Sequence, residues 1–356
     1  MKKNVIGSNG FTLRVKATLK DIADKEAGKL IQTEFYKWEK KKYCSFQKDL
    51  SFRELCSLAL TTIARDGEVF IKKVRGRSVN KYGYTLQLVE PELVDETLNK
   101  VLTNGNVILM GIEMNQFRQV QAYWFKKNLL EYELNGQYSS NYERVPADQI
   151  YHLFAKEYIN QIRGISWFAP VAMRMKMLQG YEEAALVNAK ASAMLSGKLT
   201  PKFEGETIDA ERLSAAEDEA GDLTKTVEPG EILNVPYGYD YDTIKSEYPQ
   251  QNHEAFTQGI LRGVASGFDI SYISLANNYA NVNYTSSRTN LLDERDTWKT
   301  LQSWLIEHYL EDVYEDWLQM LLLTGITPYD LTDYERLNHP VFMGRRWDWV
   351  DPRNEA

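Results

Sequence analysis

The residue types that most often carry enzymatic chemistry are few in this sequence, and they are not grouped. Its four histidines are His152, His253, His308 and His339. His152 lies in an apolar, strand-like stretch, where a histidine that is hydrogen-bonded in the core is more common than a general base. His308 and Asp312 have helical spacing, but two such residues do not make a metal-ligand set. The histidines therefore indicate neither an acid–base pair nor a metal site.

Two further groups of residues could supply a nucleophile or a pair of carboxylates. Ser286 and Ser287 are adjacent, but no histidine or lysine partner can be placed beside either hydroxyl. Asp66 and Glu68 would share one face of a strand, because alternate residues of a strand point to the same side. Gly67 between them makes a turn the better interpretation, since Asp-Gly is a common turn sequence.

The sequence motifs of the common enzyme classes are also missing. There is no P-loop motif, no glycine-rich dinucleotide motif after a strand, no HExxH zinc motif and no GxSxG nucleophile motif. We therefore expect a protein that is not an enzyme and that needs no cofactor and no metal. A metal-dependent nuclease or hydrolase of a mobile element is the alternative function.

Charge and composition restrict what the chain can bind. With 356 residues it is long enough for two or three domains, or for one elongated subunit. Its net charge is −8, whereas a protein that grips DNA through the phosphates normally has a basic excess or a basic stripe. The short basic runs at 37–42 and 72–77 are typical of solvated surface. No run approaches the ~18 apolar residues of a membrane span, so we expect no membrane partner.

Aromatic residues and cysteines leave two interpretations open. Aromatics make up 12% of the chain, and such side chains are enriched at protein–protein interfaces but fill cores equally well. Cys44 and Cys56 form no metal-ligand pattern. We expect them to pack as small apolar side chains in a reducing compartment.

The most strongly patterned element is a long helix that follows a polar stretch, within residues 281–323. Apolar residues recur there at steps of three or four, as on one face of a helix: Trp298, Leu301, Leu305, Tyr309, Val313, Trp317 and Leu321. Thr285, Ser286 and Ser287 are expected to accept hydrogen bonds from the first turn. Gly325 is a stop signal. The pattern therefore predicts a helix of roughly nine or ten turns, preceded by a polar loop.

Other segments alternate between helical and strand periodicity. Helices are predicted at 21–42, 49–64, 165–195 and 253–268, with a capping box of Ser51 and Glu54 at the start of the second. Strands are predicted at 68–74, 84–89, 107–113, 120–125 and 149–154, so residues 65–155 form an antiparallel, β-rich unit. Residues 326–356 have no regular pattern. These elements predict the α+β fold class.

Several short strings, taken in order along the chain, match the motifs of one known family. Residues 4–10 (NVIGSNG) are similar to that family's early V-G-x-G segment, and residues 64–70 (ARDGEVF) to its A-R-D-G-E-V-F string. Residues 145–154 (VPADQIYHLF) and 161–170 (QIRGISWFAP) are similar to its V-P-A-x-x-x-x-H-x-F and Q-x-R-G-x-S-W-x-A-P strings. Residues 283–288 (NYTSSR) and 347–352 (WDWVDP) are similar to its N-Y-S-S-x-R and W-x-W-V-D-P strings. Over nearly its whole length the sequence resembles the lambda-type portal proteins of tailed phages.

Some positions depart from the family's pattern. Asn115 stands where the family usually has aspartate, Phe117 where it has glycine, and Asn354 where it has lysine. Family members usually carry further sequence before the first of these strings and after the last. The resemblance therefore predicts a portal-like chain truncated at both ends, with a crown that is short or missing.

The resemblance implies a structural role in the virion. Portal proteins form a ring, typically a dodecamer, at one vertex of the capsid, and the genome enters and leaves through it. The implied partners are further copies of this chain, double-stranded DNA that passes without tight binding, the terminase large subunit, the major capsid protein and a head–tail connector. Such a ring would be assembled in the host cytoplasm. A monomeric portal remnant or adaptor is the alternative.

The resemblance also predicts how the chain is divided. It implies a wing at 1–160, a stem helix at 161–195, a clip excursion at 196–250, a returning stem helix at 251–268, a tunnel loop at 269–285, a long wing helix at 286–325 and an irregular segment at 326–356.

The tunnel loop is expected to face the channel of the ring. Residues 273–283 carry no charge, and a conduit must surround DNA without the affinity that each lysine or arginine adds for a phosphate. The residues predicted to line the channel are Asn277, Asn278, Tyr279, Asn281, Asn283 and Tyr284. A surface turn cluster is the other interpretation, since asparagine is common in turns.

Three further residues are predicted to act as structural anchors. The resemblance places Arg163 and Trp167 at the junction between wing and stem, which they are expected to fix. Arg288 is expected to anchor the tunnel loop to the first helical turn or to a carboxylate of a neighbouring subunit.

Overall fold

The structure is a computed structural model that describes residues 2–19, 22–127, 141–193, 197–201, 239–243, 250–280 and 283–347. The chain forms two compact units, one of Met1–Ala169 with Tyr279–Ala356 and the other of Pro170–Asn278. Helices and antiparallel strands both occur, which confirms the α+β class. The division into wing, stem and clip stays a prediction.

Groups of helices and groups of strands follow one another along the chain. The described helices are α1 (Lys2–Val5), α2 (Lys25–Trp38), α3 (Lys41–Cys44), α4 (Phe52–Asp66), α5 (Ala172–Ala193), α6 (Gln250–Gly267), α7 (Tyr272–Ala276), α8 (Tyr284–Leu305), α9 (Glu311–Thr324) and α10 (Tyr334–Leu337). The described strands are β1 (Thr12–Val15), β2 (Thr18–Leu19), β3 (Ile22–Ala23), β4 (Glu68–Arg75), β5 (Tyr84–Val89), β6 (Lys100–Val101), β7 (Val107–Leu109), β8 (Ile112–Met114), β9 (Val120–Lys126), β10 (Tyr142–Pro146), β11 (Ile150–Phe154), β12 (Gly197–Pro201), β13 (Tyr239–Thr243) and β14 (Pro340–Met343).

The predicted β-rich unit consists of two antiparallel sheets. One has the strand order β10-β9-β8-β7-β6 and the other the order β11-β4-β5. The segment predicted as one strand at 107–113 is a hairpin of two strands, β7 and β8. Met110 and Gly111 turn the chain there with φ of +51° and +79°, conformations that a strand does not contain.

Helix α4 precedes strand β4, and both of its ends follow from local sequence. At its start Ser51 and Glu54 form the predicted capping box, in which the Ser51 N–H donates to Glu54 Oε2 at 2.8 Å. At its end Gly67 adopts φ of +97°, the left-handed conformation that favours glycine. Gly67 therefore ends the helix, and the next residue begins the strand.

The long predicted helix begins at Tyr284 and ends at Thr324, with one turn of π-helix at Ile306–Leu310. The π-turn inserts an extra residue, so that Tyr309 and Leu310 are both buried. The predicted apolar stripe faces the core: Trp298, Leu305, Tyr309, Val313, Trp317 and Leu321 are buried, and Leu301 is partly buried. Gly325 caps the end in the left-handed conformation, as predicted.

The core of the first unit is rich in aromatic rings. Phe35 packs edge-on against Trp317 with 4.9 Å between ring centroids, and Trp38 stacks on Tyr84 at 5.7 Å. Trp38 Nε1 also donates to the backbone oxygen of Tyr84 at 3.0 Å, which satisfies its buried N–H. Cys44 and Cys56 are buried free thiols in the same core, as expected. The aromatic residues therefore serve core packing to a large extent.

The segment at 326–356 is less irregular than predicted. Its described part contains helix α10 and strand β14, which pairs antiparallel with β1. The sequence did not indicate this strand, because its partner lies more than 300 residues earlier and pairing at that distance leaves no local signal.

One other predicted helix boundary is corrected, and the segment predicted as the tunnel loop contains a short helix. The helix predicted at 165–195 begins only at Ala172, because Trp167 donates its backbone N–H to Ala64 O at 3.2 Å and is held outside the helix. The predicted tunnel loop at 269–285 contains the short helix α7, capped by Ser271, whose side chain accepts from the N–H of Ser274.

The second unit contains α5, α6, α7 and the strand pair β12–β13. A Cβ built on Gly263 would lie 2.1 Å from Arg174 Nη1, and one built on Gly267 would lie 2.2 Å from Val171 Cγ1. These glycines are therefore needed for the close approach of α6 to the start of α5. Most of the predicted clip excursion, 196–250, lies outside the described residues.

None of the described helices combines the length and the apolar character needed to cross a membrane.

Candidate functional site

The predicted channel residues lie on a short connection between α6 and α8. Tyr279 is 67% exposed, and the side chains of Asn277 and Asn283 are also exposed. Asn277 ends α7 in the left-handed conformation, with φ of +51°, which asparagine tolerates better than most residues. Asn278 is half-buried, and its Nδ2 donates to the hydroxyl of Tyr272 at 3.2 Å. This stretch therefore presents neutral polar side chains to solvent.

The end of this connection has a different structural role from the one predicted for it. Asn283 is the N-cap of α8, and its Oδ1 accepts a hydrogen bond from the Ser286 N–H at 2.7 Å. Capping was expected from Thr285, Ser286 and Ser287, but these residues are already inside the helix. Asn281 and the side chain of Tyr284 lie outside the described part of the structure. The channel-facing role of all six residues stays a prediction.

The predicted anchor Arg163 is buried in a network that the sequence did not show as a unit. Its Nε donates to Oε1 of Glu68 at 2.6 Å, and its Nη1 donates to the backbone oxygens of Met110 at 2.8 Å and Val94 at 3.2 Å. Glu68 Oε2 lies 2.8 Å from His152 Nε2. We call Glu68, His152 and Arg163 the buried cluster. It ties strand β4 to strand β11 and to the segment that precedes α5.

Each side chain of the buried cluster is less than a tenth exposed, at 4% for Glu68, 5% for His152 and 7% for Arg163. Burial alone would raise the pKa of Glu68, but its hydrogen bonds to His152 and Arg163 outweigh burial and lower it. Burial lowers the pKa of His152, despite the opposing effect of Glu68. The cluster is therefore an ionised Glu68–Arg163 pair with a neutral histidine at neutral pH.

Two glycines let the start of strand β4 and the segment that precedes α5 come into backbone contact. A Cβ on Gly67 would lie 2.5 Å from the carbonyl carbon of Ile165, and one on Gly164 would lie 2.2 Å from Gly67 O. No larger residue fits either position without moving backbone. The N–H of Gly164 also donates to Glu68 Oε2 at 2.9 Å. The strings at 64–70 and 161–170 therefore cross at backbone contact.

This arrangement decides between the two interpretations of Asp66 and Glu68. Asp66 pairs with Arg65 at 2.6 Å on the surface, whereas Glu68 is buried against Arg163. They do not form a carboxylate pair, and the turn at Gly67 is confirmed. His152 is hydrogen-bonded in the core and stacks on Phe70 with 4.3 Å between ring centroids, as expected for a structural histidine.

The other two predicted anchors are placed differently. Trp167 is half-buried and packs against the aromatic core of the first unit. Arg288 lies in the second turn of α8 and is half-buried. Arg163 and Trp167 lie shortly before Pro170, where the second unit begins. Their roles at the junction, and that of Arg288 beside the tunnel loop, stay predictions.

A second polar network, centred on Asp316, was missed by sequence reasoning. Asp316 accepts hydrogen bonds from Arg75 at 2.6 Å and from the Tyr151 hydroxyl, and it pairs with Lys73 at 2.8 Å. Tyr151 also contacts the hydroxyl of Tyr84 at 3.0 Å. The partners lie on β4, β5, β11 and α9, so no local pattern could have brought them together.

Within the described ranges, no group of three or more histidine, cysteine, aspartate or glutamate side chains is placed to hold a metal ion. The buried cluster and the Asp316 network both lack an open position for a substrate atom, because their polar atoms bond to one another. What these residues do chemically is to hold the sheets, the segment before α5 and helix α9 together.

Comparison with known proteins gives concordant matches in sequence. The family model described as phage portal protein, lambda family, matches residues 1–302. The probable portal protein of Halomonas phage phiHAP-1 is 32% identical over 358 aligned positions, which cover 100% of this chain and 68% of that protein. Portal protein B of Escherichia phage lambda is 21% identical over 253 positions, covering 64% of this chain and 46% of that protein.

Solved structures give weaker likenesses. The neck of an empty GTA particle, computed with C6 symmetry, matches with a TM-score of 0.43 and 12% identity, over 83% of this chain and 70% of that one. The neck of a native GTA particle, computed with C12 symmetry, matches with a TM-score of 0.42 and 13% identity, over 88% and 90% of the two chains. Likenesses this weak do not define the fold, and the sequence matches identify the family. The chain belongs to the lambda family of phage portal proteins.

Proposed function

We propose that this chain is a structural subunit of a ring, typically a dodecamer, that surrounds double-stranded DNA at one vertex of a phage capsid. The observation that carries the proposal is the match to a phage portal protein over the whole length of the chain at 32% identity. In this role the ring is the conduit for genome packaging and ejection, and it works without catalysis in the subunit itself.

Helix α5 supports assembly into a ring. Along almost its whole described length the helix is exposed, including the apolar side chains of Met173 (65% exposed), Met177 (63%), Leu186 (58%) and Val187 (65%). Exposed apolar residues on one helix are a common mark of a protein–protein interface. The Ala-rich sequence of α5 also lets another helix approach closely. The occupant that we propose is the same region of a neighbouring subunit.

The residues that connect α6 to α8 support the proposal of a channel through which DNA passes without tight binding. Residues 273–283 of this connection carry no charge, although Asp269 at its start is an exposed carboxylate, and the whole chain carries a net charge of −8. Each lysine or arginine that neutralises a phosphate adds affinity that must be overcome when DNA slides. We propose that the narrowest part of the channel is lined by neutral residues and the rest of its wall is acidic. Such a surface would let DNA pass without binding it tightly. We therefore propose that Asn277, Asn278, Tyr279 and Asn281 face the channel.

The same proposal includes the partners of a portal vertex. These are the terminase large subunit, the major capsid protein and a head–tail connector, and the site of action is the virion after assembly in the host cytoplasm. The relatives named above are portal proteins, and a vertex of this kind is where such partners meet.

Light scattering combined with negative-stain imaging of the purified protein tests the proposal. The expected result is a large species that appears as rings with a central hole. A strictly monomeric protein at high concentration would contradict the ring and would favour the monomeric adaptor.

A further inference from the structure

A basic pocket lies in the first unit, where the start of the chain meets the segment that follows β14. Its volume is about 520 Å³, within the range of small-ligand sites. Lys3, Arg345 and Arg346 line it, together with the turn Gly7-Ser8-Asn9-Gly10. No carboxylate is among the described residues that form its wall. The pocket therefore concentrates three positive charges in a chain that is acidic as a whole.

The walls of the pocket are fixed to one another by three sets of contacts. Strands β1 and β14 pair with Thr12 opposite Met343, which sets the two segments side by side. Gln302 of α8 donates through Nε2 to the backbone oxygens of Val5 at 2.8 Å and Arg345 at 3.3 Å. Arg345 Nη1 donates to Lys3 O at 2.6 Å. A ligand would thus meet a preformed site, which reduces the ordering cost of binding.

Close packing extends to the glycines of the pocket. Gly7 and Gly10 have φ of +75° and +74°, so each holds a conformation that other residues rarely adopt. A Cβ on Gly344 would lie 2.5 Å from the side chain of Gln302. Ser8 and Asn9 of the turn are exposed; the Ser8 hydroxyl donates to Asn9 Oδ1 at 3.3 Å, and the Asn9 amide can donate to a ligand in the pocket.

The cations of the pocket have no carboxylate partner among the described residues, unlike several other arginines of this protein. Arg75, Arg144 and Arg163 each pair with a carboxylate at 2.7 Å or less. Among the ion pairs within the described ranges, none involves Lys3, Arg345 or Arg346. The described bonds of Arg345 go to the neutral oxygens of Lys3 and Asn4, and that of Arg346 goes to Met343 Sδ. An anion would supply the missing charge.

We propose that this pocket binds a phosphate group. Arginine presents a planar fork of donors that matches phosphate oxygens, and lysine adds a compact point charge, so the set suits a multiply charged tetrahedral anion better than a single carboxylate. The group belongs either to the phosphodiester backbone of DNA or to a free phosphorylated molecule. The pocket is built from one chain and does not depend on the proposed ring.

Isothermal titration calorimetry of the 356-residue chain tests the proposal with pyrophosphate, with a short DNA duplex and with citrate as the carboxylate comparison. The variant Lys3→Ala with Arg346→Ala removes two exposed cations from the pocket. The control Arg14→Ala with Lys16→Ala removes the same charge from exposed residues on and just after β1, outside the pocket wall. The melting temperature of each protein without ligand verifies that it is folded.

The expected result is that pyrophosphate binds more tightly than citrate, that the pocket variant loses affinity by about tenfold or more, and that the control keeps it. If the duplex also binds, and pyrophosphate displaces it, the group belongs to DNA; if the duplex does not bind, the group belongs to a small molecule. Equal loss in pocket variant and control, equal binding of citrate, or no binding of pyrophosphate would each overturn the proposal.

Discussion

Arg163 donates its Nε–H to Oε1 of Glu68 at 2.6 Å across 95 residues of sequence, and both side chains are less than a tenth exposed. Glu68 is the first residue of strand β4, and Arg163 lies shortly before Pro170, where the second unit begins. Burying two charges is costly, so the pair is stable only because backbone oxygens and the Gly164 N–H satisfy its remaining polar atoms.

Removing one partner of this pair should therefore be strongly destabilising. We expect Arg163→Met to lower the free energy of unfolding by roughly 3–5 kcal/mol, because Glu68 is left as an uncompensated buried charge. The double variant Arg163→Met with Glu68→Gln should recover part of that loss. Urea denaturation followed by circular dichroism measures both. Arg65→Met, at the exposed pair with Asp66, is the control and should cost less than about 1 kcal/mol. A loss for Arg163→Met no larger than for the control would show that the pair is dispensable.

The contribution of the buried cluster to the free energy of unfolding should fall as the pH falls below neutrality. The folded-state pKa of His152 is lowered, so the unfolded chain binds a proton more readily, and stability is lost as the pH drops below the ordinary histidine value of 6.5. Glu68, whose pKa is also lowered, contributes stability that is lost at still lower pH, below its ordinary value of 4.5. Both effects have the same sign.

Melting temperatures measured between pH 7.5 and pH 5, a window chosen about the histidine value, test this expectation. The melting temperature of His152→Gln should depend less on pH than that of the unmodified chain. The difference corresponds to up to about 1.4 kcal/mol in the free energy of unfolding per pH unit, the value for one proton. The exposed His339, replaced by glutamine, is the matched control. Parallel profiles for all three proteins would exclude His152 as the titrating group.

The hydroxyl of Tyr151 should stabilise the contact between the three-stranded sheet and helix α9. Tyr151→Phe removes the hydroxyl that lies within hydrogen-bond distance of Asp316, Tyr84 and the backbone oxygen of Asp312, so Asp316 keeps Arg75 and Lys73 but loses this donor. We expect a loss of about 1–3 kcal/mol in the free energy of unfolding. Tyr158→Phe, at a tyrosine that is 55% exposed, should change it by less than about 0.5 kcal/mol. Similar values for the two variants would contradict a stabilising network.

New charge on helix α5 should prevent assembly without unfolding the subunit. Met177→Glu with Val187→Glu places two carboxylates among exposed apolar side chains, where a neighbouring subunit would have to desolvate them. The expected result is a folded protein that no longer forms rings by light scattering and negative-stain imaging. Val101→Glu, at a side chain that is 72% exposed on β6, should leave the rings intact. Rings that survive the α5 variant would place the interface elsewhere.

Positive charge at the proposed constriction should slow the passage of DNA. Asn277 has a left-handed backbone and Asn283 caps α8, so substitution there would mix structural with electrostatic effects. Tyr279→Lys avoids both, and Tyr279→Gln is the neutral control. We expect rings in both variants and reduced DNA packaging only in the lysine variant, since each lysine can bind a phosphate. Equal packaging by the two variants would place Tyr279 away from DNA.

Features set by neighbouring residues were predictable from sequence. The Ser51–Glu54 capping box, the turn at Gly67 and the apolar stripe of the long helix all depend on spacings of a few residues, and the structure has each of them. Asn283 was missed as the cap of α8 because several polar residues in a row could have capped it. The choice depends on the backbone angles at Asn283, which composition does not reveal.

Features set by distant residues were not predictable. Glu68, His152 and Arg163 were each noticed alone, yet nothing local showed that one carboxylate serves both partners. The basic pocket joins Lys3 to Arg346, and the polar Asp316 network joins four elements, so neither forms a run of charge in the sequence. Such contacts follow from the order of strands in the sheets, which a single sequence specifies only through the complete fold.

The pairing of β1 with β14 has a consequence for how the chain is made. Residues 12–15 are synthesised more than 300 residues before residues 340–343, so strand β1 has no partner strand during that part of synthesis. Residues 170–278 leave the ribosome before the first unit can be completed. The inserted unit can thus fold during translation before the first unit is complete.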